Sequence, residues 1–204
     1  MTLGWMIMMT LTKTVPSTWV LAVMTRLQPV APYAWIQTYS ETADAIAEAS
    51  NNDPLFSGED GPMRTAALLL AIAYKESRFK PTAIGDHGHS YGLFQIQPQT
   101  ANLMANVLLV PREAAPVAIK LIRTSLKVCG HAGWHDRLSW YCHGGNGCNK
   151  AGNRASQNRI LLAEKIIREN PEEVDEIIAA QDPETAEVVE RVAEIVSESQ
   201  ASER

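Results

Sequence analysis

The chain has 204 residues, enough for one globular domain and an appendage, and 46% of them are hydrophobic, enough for a core. A net charge of −5 without any basic cluster argues against a nucleic-acid partner. No uncharged apolar run reaches the roughly eighteen residues that a membrane-spanning helix needs. The charge is uneven: residues 171–204 hold eleven acids and two arginines, a balance of −9, so residues 1–170 carry +4.

In chain order, residues 1–11 are apolar but lack a basic start, and a second apolar stretch, 15–24, follows Lys13. A secretory signal is therefore poorly formed, and the segment reads better as part of the folded domain. Pro16-Ser17-Thr18 opens a helix to about Leu27, with Ser17 or Thr18 expected as its N-cap. Pro29 and Pro32 interrupt. A second amphipathic helix is expected over 33–49, closed by Asn51-Asn52-Asp53-Pro54. After a loop at 55–61, Pro62 suits the first turn of a third helix. That helix is an apolar run, 66–74, and it leads to a single acid, Glu76.

Pro81 disfavours helix in the residue before it, so Glu76 is expected near the C-terminal end of a buried helix. A carboxyl group in apolar surroundings has its pKa raised and can act as a general acid. Glycines 85, 88 and 92 permit tight turns, and residues 93–96 read as a short strand with Gln95 as its polar member. Helices are expected over 98–107, 111–129, 134–141 and 156–169. In the last of these Ile160, Leu161, Ala163, Ile166 and Ile167 are expected inward. After Pro171, apolar stripes, an Asp182-Pro183 start and a Glu187–Arg191 pair suggest one or two acidic amphipathic helices. Such a tail is a candidate docking element for another protein. The fold class expected is mainly α, with a small irregular or β element at 85–96.

Two runs carry a family resemblance. Glu76-Ser77-x-Phe79-x-Pro81-x-Ala83 and Gly92-Leu93-Phe94-Gln95-Ile96-x-Pro98-x-Thr100-Ala101 resemble the signature of the soluble lytic transglycosylases. Gly85-Asp86-x-Gly88-x-x-x-Gly92-Leu93-Phe94-Gln95 also resembles goose-type lysozyme. The match spans about residues 60–168 and rests on an ordered series of positions rather than one short pattern. It implies a lysozyme-like (α+β) domain over 1–170 that cuts the MurNAc–GlcNAc β-1,4 bond of peptidoglycan without a cofactor or metal. The mildly basic body suits that anionic wall polymer.

The resemblance makes Glu76 the general acid. In transglycosylases the same group then acts as base on the sugar's own 6-hydroxyl, giving 1,6-anhydro-MurNAc ends with no second carboxylate. In inverting hydrolysis a second carboxylate activates water. Asp86 is the candidate for that role, although it follows Glu76 more closely than in goose-type lysozymes. Asp86 is equally readable as the cap of its own turn. Ser77, Tyr91, Phe94 and Gln95 are the candidate substrate-binding residues, with core or turn packing as the plain reading of each. Phe94 stands where the family usually has methionine.

The segment 140–148 resembles the family's Tyr-Asn-Ala-Gly-x-Gly run and adds Tyr141, a phenol expected to face the acid. Cys142 and His143 replace the asparagine and alanine. The cysteines at 129, 142 and 148 lie near histidines, but their spacing matches no standard zinc pattern. Reduced thiols are the favoured reading over a disulfide.

Two classes of function follow: a peptidoglycan-cleaving enzyme, transglycosylase or muramidase, or a non-catalytic wall-binding or virion-assembly protein. The presence of Glu76 favours the enzyme. The weak export signal and acidic tail suggest virion delivery from a bacteriophage, with an exported, periplasmic bacterial enzyme as the rival.

Overall fold

The computed structural model describes residues 13–29, 36–144, 147–149 and 153–170. The apolar N-terminal stretch at 1–12, the start of the second helix at 33–35 and the acidic segment 171–204 lie outside the described residues.

The fold is mainly helical. Helices α1 (Ser17–Leu27), α2 (Ile36–Asn52) and α3 (Gly61–Ser77) come first. A two-residue hairpin follows, β1 (Ile84–Gly85) and β2 (Ser90–Tyr91). Two single-turn helices, α4 (Pro98–Ala101) and α5 (Ala105–Leu108), lead to the long α6 (Pro111–Val128). The short α7 (Ser139–His143) and α8 (Arg154–Glu169) complete the domain.

Helix α3 is the centre because its sequence is apolar all round, the pattern of a helix enclosed on every side. Residues 65–73 are each at most 2% exposed, and Leu68, Leu69 and Leu70 alone supply three enclosed side chains. Burial of each leucine contributes about 1.5–3 kcal/mol relative to exposure. Helices α8, α2, α1 and α6 pack around α3, and α3 with α8 is the most extensive helix pair among the described residues. Helix α1 turns Trp19, Val20, Val23 and Met24 inward, and its indole Nε1 at Trp19 donates to the carbonyl of Asn170. The end of α8 is thereby tied to the start of the domain.

Several local expectations are corrected. Pro16, not Ser17 or Thr18, occupies the N-cap of α1, and no side chain caps that helix. Helix 98–107 is two separate turns, broken where Asn102 adopts a left-handed conformation (φ 54°). The expected strand at 93–96 is a tight turn, closed by an isolated bridge between Tyr91 and Ile96. The sequence run has strand composition, but the chain must reverse there to bring Ile96 back beside Tyr91. Helix 134–141 is a 3₁₀ turn at Trp134–Asp136 followed by α7. In α8, Ile160, Ala163 and Ile166 are buried as expected, while Leu161 is 51% and Ile167 37% exposed. One face of α8 suffices to cover α3, so the apolar residues beside that face remain outside.

Candidate active site

Glu76 lies in the last turn of α3, and its side chain is 19% exposed. The helix stops at Ser77, before proline can act. Arg78 and Phe79 both take left-handed backbone (φ 55° and 61°), and the Arg78 amide donates to the carbonyls of Ala73 and Tyr74. A bulky residue in that region is strained and persists where its surroundings impose it. Phe79 is fully buried, edge-on to Tyr39 at 6.1 Å and 5.7 Å from Tyr74. Core packing of one ring thus sets the sharp stop that presents Glu76 at the end of the helix.

The hairpin beyond is bound to this helix end. Ser77 Oγ donates to the carbonyl of Leu93 at 2.8 Å and lies 3.1 Å from that of Ala73. Both bonds go to backbone rather than to the acid. Gln95, itself left-handed (φ 47°), donates from Nε2 to the carbonyls of Gly92 (2.9 Å) and Ala83 (3.2 Å). Gly92 is required here twice over: its φ is +76°, and a methyl would strike the carbonyl of Leu108. Tyr91 donates its hydroxyl to Gly88 at 2.7 Å and so braces the same turn. The ring of Phe94 is 1% exposed and belongs to the core. Asp86 is exposed and left-handed (φ 49°), opens a 3₁₀ turn, and accepts from Gln97 Nε2 at 3.5 Å.

Tyr141 reaches the site from α7. Its amide donates to Ser125 Oγ at 3.0 Å and its hydroxyl to the carbonyl of Phe94 at 2.9 Å. The phenol therefore joins α7 to the hairpin rather than donating to Glu76. Its pKa is raised well above 10 by burial, and further by the negative charges of Glu76 and Cys142, against the opposing pull of Arg159. Burial likewise pushes the Cys142 thiol up to about 11, with Arg159 lowering and Glu76 raising it.

The sequence motifs do not point to Arg159. From α8 it donates Nη2 to Glu76 Oε1 at 2.6 Å and Nε to the same oxygen at 3.1 Å. Its side chain is 13% exposed. Burial pulls the Arg159 pKa down, but Glu76, Cys142 and Tyr141 together leave it raised. The surroundings of Glu76 are accordingly not only apolar, as expected, but include an ion pair. The helical spacing of Ser156, Ile160 and Ala163 held the signal, because Arg159 is three residues after the first and four before the last, on the buried face.

The cysteines also correct an expectation. Cys129 and Cys148 form a disulfide, with Cα atoms 5.1 Å apart, and Cys142 is the free thiol. Cys129 caps α6 and is fully buried, and the chain after α7 returns to it because Gly147 packs closely on the carbonyl of Ser139. Tertiary folding, not spacing, makes the pair.

A search of curated proteins and a search of solved structures each found no match to this chain. A family model described as "Transglycosylase SLT domain" matches residues 54–161. That span covers α3, the hairpin, α6, α7 and the N-terminal half of α8, including Glu76, Tyr141 and Arg159. As the match takes in more than half of the sequence, the chain belongs to the SLT transglycosylase family, whose members are enzymes that cleave peptidoglycan as lytic transglycosylases.

Proposed function

We propose that Glu76 is the single catalytic acid and base of a lytic transglycosylase that leaves 1,6-anhydro-MurNAc ends. The observation that carries this reading is the placement of Glu76. It is a mostly buried carboxyl at the end of the core helix, beside the hairpin and α7. Glu76 gives its proton to the bridging oxygen as the C1–O bond of MurNAc breaks and the GlcNAc hydroxyl leaves. The resulting carboxylate takes the proton of the MurNAc 6-hydroxyl while that oxygen bonds to C1. The acid is regenerated and no water is consumed. Asp86 supports this reading over hydrolysis, since it is exposed and its carboxylate is turned to Gln97.

The Cys129–Cys148 bond favours an oxidising place of action, such as the periplasm or the outer wall. We read residues 1–170 as the catalytic domain and 171–204 as an acidic appendage.

Glu76→Gln is the test. Glutamine keeps an oxygen that can accept from Arg159, so the fold should survive while the transferable proton is lost. Activity on purified sacculi should fall by about 10²–10⁴-fold. Mass spectrometry of wild-type products should show 1,6-anhydro ends. Reducing MurNAc ends, together with an inactive Asp86→Asn, would assign hydrolysis instead.

A further inference from the structure

We propose that Arg159 is a positioning residue for the catalytic carboxyl: it clamps Glu76 through Oε1 and leaves Oε2 to give and take the proton. This inference rests on Glu76 being the acid. An arginine fork meeting a carboxylate commonly binds both oxygens, one donor to each. Here the two donors, Nε and Nη2, converge on Oε1 at 3.1 and 2.6 Å. Among the described residues, no hydrogen bond is made to Oε2.

The clamp is itself held. Arg159 Nη1 donates to the carbonyl of Ala155 one turn back along α8, at 2.7 Å. The guanidinium is therefore fixed at both ends, by its own helix and by the acid. Tyr141, the other strong donor nearby, is engaged with the carbonyl of Phe94 and does not compete. Glu76 belongs to the last turn of α3, and its side chain has three rotatable bonds. Without a clamp the carboxyl would sample several rotamers, and a misplacement of about 1 Å can cost about 10²-fold in rate. With Oε1 pinned, a single oxygen is presented for both proton transfers.

A purely structural role is the alternative, because the same pair joins α3 to α8. Kinetics of the full chain on soluble, uncrosslinked glycan strands separate the two. Arg159→Ala should lower kcat by about 10²-fold with KM little changed. Millimolar guanidinium should restore much of that loss, and should do nothing for the Glu76→Gln/Arg159→Ala double variant. Arg159→Lys keeps the charge but lacks the planar fork. It should fold as wild type and show a reduced kcat at unchanged KM.

A wild-type kcat in Arg159→Lys overturns the inference, as does a rise in KM alone. So does a loss in Arg159→Ala that follows a fallen thermal midpoint and does not respond to guanidinium. Retained activity in Glu76→Gln is a different failure, that of the acid assignment itself.

Discussion

Tyr141 shows how a side chain in this site can be both chemical neighbour and structural brace. Its hydroxyl closes the gap between α7 and the hairpin through the Phe94 carbonyl, while Glu76 raises its pKa through space. Ionising the phenol would leave an anion beside a carbonyl oxygen and a carboxylate, at a partly buried position. The folded protein therefore holds the proton that the unfolded chain gives up near pH 10. Stability from this group is intact below that pH and is lost as pH rises toward the higher folded value, at a slope of up to about 1.4 kcal/mol per unit. Tyr141→Phe should be less stable near neutrality, by about 1 kcal/mol for the missing hydrogen bond. Its stability should decline less steeply than that of wild type above pH 10. Urea midpoints across this range, wild type against variant, check the difference, and parallel declines would remove Tyr141 as the source.

At the scale of elements, the site is a meeting of three helix ends and one turn. Helix α3 supplies the acid, α8 the cation, α7 the phenol, and the 92–95 turn the backbone carbonyls that receive Ser77 and Tyr141. Helix α8 starts cleanly because Asn153 accepts from the amides of Ala155 and Ser156, which places Arg159 one turn in. The connection between α7 and α8 is pinned by the Cys129–Cys148 bond, which spans a separation of 19 residues. Closing a loop of that size restricts the unfolded chain and stabilises the fold by about 3 kcal/mol. Reduction should then lower the thermal midpoint by about 6–12 °C for a domain of this length. A thiol count on the denatured protein should give one before reduction and three after. A count of three without reductant would show that the pair does not form.

The described residues end at Asn170, which is itself tied into the structure. Its carbonyl accepts from Trp19, its side-chain oxygen accepts from Arg26 at 2.8 Å, and its own amide group donates back to Ile166. Arg26 also pairs with Glu169 at 3.5 Å. A truncation must therefore fall after Asn170. Removing 171–204 there also removes a balance of −9, leaving a chain of net +4. We expect the shortened protein to fold, to keep its midpoint within a few degrees, and to retain lytic activity on sacculi. An insoluble product would mean that the acidic segment completes the core. Stronger binding to anionic wall at low salt is expected as well, because the lost charges are of the same sign as the polymer.

Much of this was legible in the residues. The all-round apolar run of α3 required a central helix, Pro62 and the run's length placed its start and end, and the motif series pointed to the family that the domain comparison identifies. Glu76 stood out because it is a lone acid at the end of an apolar helix. Other features depend on contacts between distant parts of the chain. The 83-residue separation of Glu76 and Arg159 carries no periodic signal that could pair them, and the ion pair exists because α8 packs on α3. The same holds for the disulfide, which follows from the return of the chain over α6. Residues 93–96 have the composition of a strand, but a strand needs a partner, and Gly92 against Leu108 turns the chain before one can form. Local patterns determined which segments are helical and where the acid lies. Tertiary packing decided what touches the acid, since that depends on which helix faces meet rather than on any one stretch of sequence.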